Sequence, residues 1–312
     1  MSFTNNWNSW VITSRTLKTV DYLETMNKII PRKDIIHAIQ KTIPEASPLG
    51  GRPRSELLML VKMTLLQQWY SLSDEWVEEN IYDRYSFQLF CDINIGEDKV
   101  PDATTVCRFR KHCNEHKVNE KIFKIINKKL EAKWIICKTW TIVDATILPA
   151  SSSTKNKDKS RDPEMHSTKK WSNFYYGAKA HIAVDDQSWL ATALEFTAAN
   201  VHDSQLIEAL LHGEEKRAYW DAAYYSKARK EEFEAKWIAF NVNKRWGLSM
   251  QDEFYNRFFS KIRSKVEHVF GVIKDIRWHR KVRYKWLMKN CQQRYLLLWL
   301  ANLYKVRRVL AS

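Results

Sequence analysis

Asp144, Asp221 and Glu267 are the residues of this sequence best suited to chemistry, and their types suit metal-assisted phosphoryl transfer. Asp144 interrupts an apolar run, Trp140 to Leu148, where a lone charge is costly unless it meets a counter-charge or a cation. Asp221 ends a second short apolar stretch, Ala218-Tyr-Trp-Asp-Ala222. Glu267 lies in a long helical pattern, Glu253 to Ile276. At 100° per residue, Arg263, Glu267 and Lys274 fall at about 0°, 40° and 20°, one polar stripe. Ile262, Val266, Val269 and Ile273 cluster about 100° away as a buried face, so Glu267 sits at a rim from which it can look inward. Three carboxylates gathered without a counter-charge raise one another's pKa. Divalent ions relieve that, and hard oxygen ligands select Mg²⁺ or Mn²⁺. Two ions about 3.5–4 Å apart would activate a water or 3′-hydroxyl and stabilise the leaving oxygen of an in-line displacement. Taken singly, a strand-end Asp is an ordinary turn residue and an Arg/Glu/Lys stripe an ordinary solvated face. Together, on a basic chain, they favour a two-metal nuclease or transferase.

The elements that must position these acids follow from the patterning. Trp140 to Leu148 is apolar on both faces, as a central strand is. Tyr175 to Val184 and Trp189 to Thr197 read as a hairpin turning at Asp185-Asp-Gln-Ser188. Asn200 to Asp203 would cap a helix to about His212, followed by a strand over 218–222, a helix over 226–236 and a strand over 237–242. The order β, β-β, α, β, α, β, α matches a ribonuclease-H-like α/β fold: a mixed sheet with helices on its faces. Its first and fourth strands are neighbours, which would bring Asp144 and Asp221 to one sheet edge. Residues 151–173 carry six Lys/Arg against three Asp/Glu and read as a mobile basic loop.

The chain before this domain is helical. After the loop Pro48-Leu-Gly-Gly-Arg-Pro53, Leu57, Leu58, Val61, Leu65 and Leu66 form one stripe, with Ser55 as the expected N-cap. A second amphipathic stretch runs through Trp76, Val77, Ile81 and Tyr82. A third starts after Pro101-Asp102, capped by Asp102 or Thr104, and carries Arg108, Arg110, Lys111 and His112. Two readings stand for this segment: a structural bundle with solvated charges, or a DNA-binding helix-turn-helix module. The division expected is thus a helical domain over 1–135, a catalytic domain over 136–280 and a basic helical segment over 281–312.

Composition narrows the function. The 312 residues carry 51 Lys and Arg against 36 Asp and Glu, a formal charge of +15 that predicts a polyanionic partner. Seven glycines and no phosphate-cradling loop argue against a nucleotide cofactor. Five irregularly spaced cysteines without a CxxC pair argue against a disulfide framework or zinc ribbon. The opening residues lack a secretory pattern, and the apolar run Tyr295 to Leu303 is too short to cross a bilayer, so a cytoplasmic location is expected. From Lys274 to Arg308 there are eleven Lys/Arg and one acid, with Trp278, Tyr284 and Trp286 interleaved. The charges read as a DNA-facing surface; the tryptophans are expected to pack against the sheet.

Local strings carry a resemblance. Arg263-Ser-Lys-Val-Glu267-His-Val-Phe-Gly-Val-Ile-Lys274 resembles the signature around the catalytic glutamate of bacterial insertion-sequence transposases: Tyr, two residues, Arg, three residues, Glu, six residues, Lys. The tyrosine position holds Ser260. Val143-Asp144-Ala-Thr146 with Lys155 and Arg161-Asp-Pro-Glu-Met-His166 is similar to the first-aspartate region of the insertion-sequence-5 group, within the wider IS4-like superfamily. Tyr176-Gly-Ala-Lys-Ala-His181 and Ala198-Ala-Asn-Val-His-Asp203 continue it, although a helix cap beside a packed histidine explains His202 and Asp203 comparably well. Trp220-Asp221-Ala-Ala-Tyr224 resembles the second-aspartate motif, with Ala223 where the family has Gly. Gly51-Arg-Pro, Leu65 to Asp74 and Pro101 to Arg110 resemble the helical N-terminal domain.

The resemblance implies a DDE triad of Asp144, Asp221 and Glu267 holding Mg²⁺, with Mn²⁺ as substitute. It implies cleavage at terminal inverted repeats and attack of the liberated 3′-hydroxyls on target DNA. Double-stranded DNA is the implied partner, bound by at least a dimer in a bacterial, nucleoid-associated setting. Lys274 would contact DNA near the catalytic site, and Arg263 would support Glu267 or DNA. The basic residues expected at DNA besides these are Lys155, Arg161, Lys169, Lys179, Arg277, Arg280, Arg108 and Arg110. A catalytically silent, transposase-derived DNA-binding protein is the alternative, and a general RNase-H-like nuclease a third reading.

Overall fold

A computed structural model describes residues 18–43, 55–155, 157, 159–170, 172–244, 249–276 and 279–311. The loop at 48–53, the extreme N-terminus, Arg277 and Trp278 lie outside the described residues. Six strands form one sheet: β1 (Trp140–Pro149), β2 (His166–Lys170), β3 (Asn173–Asp185), β4 (Ala191–Ala198), β5 (Arg217–Trp220) and β6 (Ala239–Val242). β3 lies antiparallel between β1 and β4, and β5 and β6 extend the sheet in parallel beyond β1. The β4-β3-β1-β5-β6 path is the RNase-H-like arrangement, with the first and fourth predicted strands adjacent. The β3–β4 turn forms at Asp185, whose carboxylate accepts the Ser188 N–H at 2.9 Å.

Alternation along β1 separates two cores. Ile142 and Leu148 point into a large core shared with the helices, whereas Val143 joins Ala183, Ala218 and Trp220 on the opposite face. That second face is covered by α8 (Ile207–Leu210) and α9 (Lys227–Ala235), through Leu210 and Phe233. Ser226 caps α9 by accepting the Arg229 N–H. At β1–β3, a Cβ on Gly177 would collide with the Leu148 carbonyl oxygen, so only glycine permits this approach.

The helical region comprises α1 (Lys18–Ile29), α2 (Arg32–Gln40), α3 (Leu57–Tyr70), α4 (Asp74–Asp83), α5 (Tyr85–Cys91), α6 (Ala103–Glu115) and α7 (Val118–Ala132). Asp102 caps α6 as expected, accepting the Thr105 N–H at 2.6 Å. Ser55 does not cap α3, which starts one residue later, with Glu56 in the cap position and no side-chain bond. The last helix, α12 (Leu287–Ala311), contains Leu296-Leu-Leu-Trp-Leu300, apolar all round, and is accordingly buried. Each such leucine stabilises by about 1.5–3 kcal/mol relative to exposure. Polar groups fix its seat: Asn302 bonds Asn127 and the Ala191 backbone, and Tyr295 donates to the Leu194 carbonyl. Helices on both sides of the sheet in sequence therefore share one core with it. Among the described residues no helix is long and apolar enough to cross a membrane, and all five cysteines are free.

Three expectations need correction. The basic loop is neither wholly mobile nor wholly loop: His166–Lys170 pairs with Asn173–Gly177 as β2. The helix expected to reach His212 is a 3₁₀ turn, Asp203–Leu206, running into the four-residue α8. The long helix over 253–276 is three pieces: α10 (Met250–Arg263), α11 (Lys265–Gly271) and a π-helical turn, Val272–Ile276.

Candidate active site

Sheet register brings the two aspartates together. β1 and β5 pair in parallel, with Ile142 opposite Tyr219; two residues further along each chain lie Asp144 and Asp221, on the face of the large core. There they share one guanidinium. Arg263 Nη2 stands 3.4 Å from Asp144 Oδ1, and Nη1 stands 3.4 Å from Asp221 Oδ1. Asp221 is held further by its own turn: its Oδ1 accepts the Ala222 N–H at 2.7 Å, opening the 3₁₀ turn Ala222–Tyr224 that contains Ala223.

Burial pushes the Asp144 carboxyl up to about 6, against the pull of Arg263, and the charges of Glu267 and Asp221 push the same way. That coupling places Glu267 in the field of the pair. Glu267 itself is exposed on α11, one turn beyond Arg263, while Val266 and Val269 are buried. Ile262 and Ile273 are buried too, so the predicted inward face holds across all three helical pieces. Among the described residues no three His, Cys, Asp or Glu side chains converge closely enough, as they stand, to hold a metal ion. The donor set nonetheless fits a hard divalent ion. Asp144 and Asp221 already direct oxygens at one cationic group, and Glu267 adds a third carboxylate beside them.

Lys274 reaches the same strand. Its Nζ donates to Thr146 Oγ1, two residues from Asp144 on the same face of β1, and lies over the Phe270 ring. Ser260, where the signature has tyrosine, accepts a hydrogen bond from Asn243 Nδ2 at 3.0 Å.

Sequence reasoning missed Thr146 and Tyr224 as site residues. The Tyr224 hydroxyl is buried without a hydrogen-bond partner among the described residues. Its pKa is raised by burial first, and by the charges of Asp203, Asp144 and Asp221. Both residues stood inside the quoted motifs, where only their place beside an aspartate signalled them. Behind this site Lys179 pairs with Asp203 at 2.8 Å and donates to the Val201 carbonyl. The buried His181 faces Asp203 at 3.9 Å and Thr197 at 3.1 Å. His202 caps its 3₁₀ turn by accepting the Ser204 N–H.

The expected DNA-contacting residues divide. Lys155, Arg161, Lys169, Arg280 and Arg108 are exposed. Arg161 is anchored to the Ser152 carbonyl and the Tyr176 ring, and Lys169 lies over Phe174. Lys179 is engaged by Asp203. Arg110 makes a two-pronged pair with Asp74 at 2.5 and 2.7 Å and lies over Tyr284, a structural occupation in place of the expected surface one. In the C-terminal segment, Arg294 is buried and donates to the His279 and Lys281 carbonyls. Trp286 is 38% exposed, contrary to the expected packing on the sheet.

Two family models match the chain. One, described as a transposase DDE domain, covers residues 136–303, more than half of the sequence. The other, described as a transposase domain (DUF772), covers residues 13–112.

Proposed function

The chain belongs to the transposase DDE-domain family, a class of DNA-cleaving and strand-transferring enzymes, and on that premise we propose that it moves an insertion sequence of the insertion-sequence-5 group. The substrate is double-stranded DNA at the element's terminal inverted repeats, and the reaction transfers the 3′-hydroxyl ends into target DNA. The observation that carries this reading is the placement of Asp144 on β1 and Asp221 just past the end of the adjacent parallel strand β5. Both are bridged by Arg263, from the helical stretch that also bears Glu267.

Asp144, Asp221 and Glu267 would hold divalent ions, Mg²⁺ with Mn²⁺ as substitute. Bound there, such ions supply activation of the attacking oxygen and stabilisation of the leaving one. Lys274, beside Asp144 on the Thr146 hydroxyl, is close enough to meet the scissile-strand phosphate. Lys155, Arg161 and Lys169, on the β1–β2 segment, and Arg280 track backbone phosphates further out. Residues 1–135 recognise DNA, with Arg108 on the exposed side of α6. Residues 136–280 cut and join, and 281–312 complete the core through α12. Two ends must be processed together, so the working form is at least a dimer on DNA, in a bacterial cytoplasm at the nucleoid and without a nucleotide cofactor.

The test is end cleavage and strand transfer by purified protein on labelled DNA flanking its own gene, in Mg²⁺ or EDTA, with Glu267→Gln alongside. Cuts at defined ends and joined products that need both Mg²⁺ and Glu267 are expected. Tight end binding without cleavage in any divalent metal would leave a DNA-binding protein that no longer catalyses.

A further inference from the structure

Two arginines in this protein hold aspartates in quite different ways. Arg110 grips Asp74 with both terminal nitrogens, one on each carboxylate oxygen, the bidentate arrangement of a charge-assisted pair. Arg263 touches two aspartates, one with each terminal nitrogen, and both contacts are long at 3.4 Å. Its Nε is buried without a hydrogen-bond partner among the described residues. It is the last residue of α10, beside the break at Ser264, so its side chain leaves a helix end. The arrangement has charge complementarity without tight bonding. Asp144, Asp221 and Glu267 bring three negative charges, and one guanidinium stands between the first two.

From this we propose that Arg263 is a built-in counter-ion. It holds Asp144 and Asp221 together before a metal arrives, competes with the incoming divalent ion, and is released toward DNA phosphate when that ion takes its place. The inference rests on the metal-centre reading above and goes beyond it, because it assigns Arg263 a role opposed to metal binding. A divalent ion replaces one positive charge with two at the same carboxylates, so displacement is favoured once the ion is dehydrated into the site. The long contacts make the exchange easy, since little directional bonding is lost. A nearby phosphate would draw the guanidinium off and so strengthen metal binding, and by linkage the metal would strengthen phosphate binding equally.

The experiment is Mn²⁺ titration of the full chain without DNA, reading free Mn²⁺ by electron paramagnetic resonance. The proteins are wild type, Arg263→Ala, Arg263→Gln, Arg263→Lys and Asp221→Asn, each checked by circular dichroism. The two neutral Arg263 variants should bind Mn²⁺ at least about fivefold more tightly, the lower end of usual coupling between sites. Arg263→Lys, which keeps the charge, should stay near wild type. Reading whichever neutral variant keeps its fold, equal or weaker Mn²⁺ binding than wild type overturns the proposal. Asp221→Asn separates the two ideas: retained wild-type Mn²⁺ binding there removes the metal centre itself, and the counter-ion role with it. Loss of binding in Asp221→Asn with no gain in the neutral variants removes the counter-ion role alone.

Discussion

Asp162 and Trp286, 124 residues apart, are joined by one hydrogen bond in which the Asp162 carboxylate accepts the Trp286 backbone N–H at 2.6 Å. Glu164 does the same for Leu287 at 2.5 Å, and Tyr176 donates to the Asp162 carbonyl at 2.5 Å. The end of the β1–β2 segment thus supplies the cap that α12 lacks from its own sequence, where the preceding residues are basic and aromatic. Acids at a helix start also meet the positive end of its dipole.

Asp162→Ala should therefore destabilise the whole protein by about 1 kcal/mol, as loss of a helix cap does. Urea unfolding measures it. An unchanged midpoint would mean that α12 does not depend on the loop.

Asp144→Asn should abolish cleavage and yet stabilise the metal-free protein. The folded pKa of Asp144 is raised to about 6, above its ordinary 3.8, so the native state binds more protons than the unfolded one between those values. Stability is lost as pH rises through that window, and the penalty is complete above it. The gain from asparagine should be full at pH 7.5 and vanish near pH 3.5, read by thermal melts in EDTA.

His181 works with the opposite sign. Burial, helped by Lys179, lowers its pKa from 6.5 to about 4 against the pull of Asp203. The unfolded state binds the extra proton between those values, so stability present above about 6.5 is lost as pH falls toward 4. Replacing it by glutamine should flatten this part of the pH profile. Denaturant midpoints for both proteins at pH 7 and 4.5 check it; equal slopes would contradict the buried neutral imidazole.

Arg110→Ala and Arg108→Ala should separate fold from binding, although the two residues stand only two positions apart on α6. Removing Arg110 strands Asp74 and should cost about 2–3 kcal/mol. That is less than the ~3–5 of a fully buried pair, because the two side chains keep 19% and 22% exposure. Removing the exposed Arg108 should leave stability unchanged. It should weaken DNA binding evenly across sequences, lowering the salt slope by about 1.

Glu267→Gln should lower cleavage by at least about 10²-fold, the scale of losing one electrostatic group at a reacting centre. DNA affinity in EDTA should change little, since Glu267 is exposed and its side chain makes no hydrogen bond or ion pair among the described residues. A folded variant with wild-type cleavage would remove Glu267 from the triad.

Five of the six strands, with the adjacency of β1 and β5, and the three candidate acids are legible in the sequence alone. Apolar runs on both faces at 140–148 and the alternating hairpin after 175 leave few sheet topologies, and helical periodicity put Ile262, Val266, Val269 and Ile273 inward. Strand β2 escaped because His166-Ser-Thr-Lys-Lys170 has no apolar alternation, and pairing with β3 alone makes it a strand. The α10–α11 break escaped because the buried face runs through it in phase. Which cation meets which carboxylate was decided by tertiary structure. Arg108 and Arg110 look alike in sequence, yet only Arg110 reaches Asp74, 36 residues away. Arg263 reads in the sequence as support for Glu267 or DNA; only the β1–β5 register sets two aspartates before it. Charge partners of this kind depend on distances between elements remote in the chain, which periodicity and spacing do not encode.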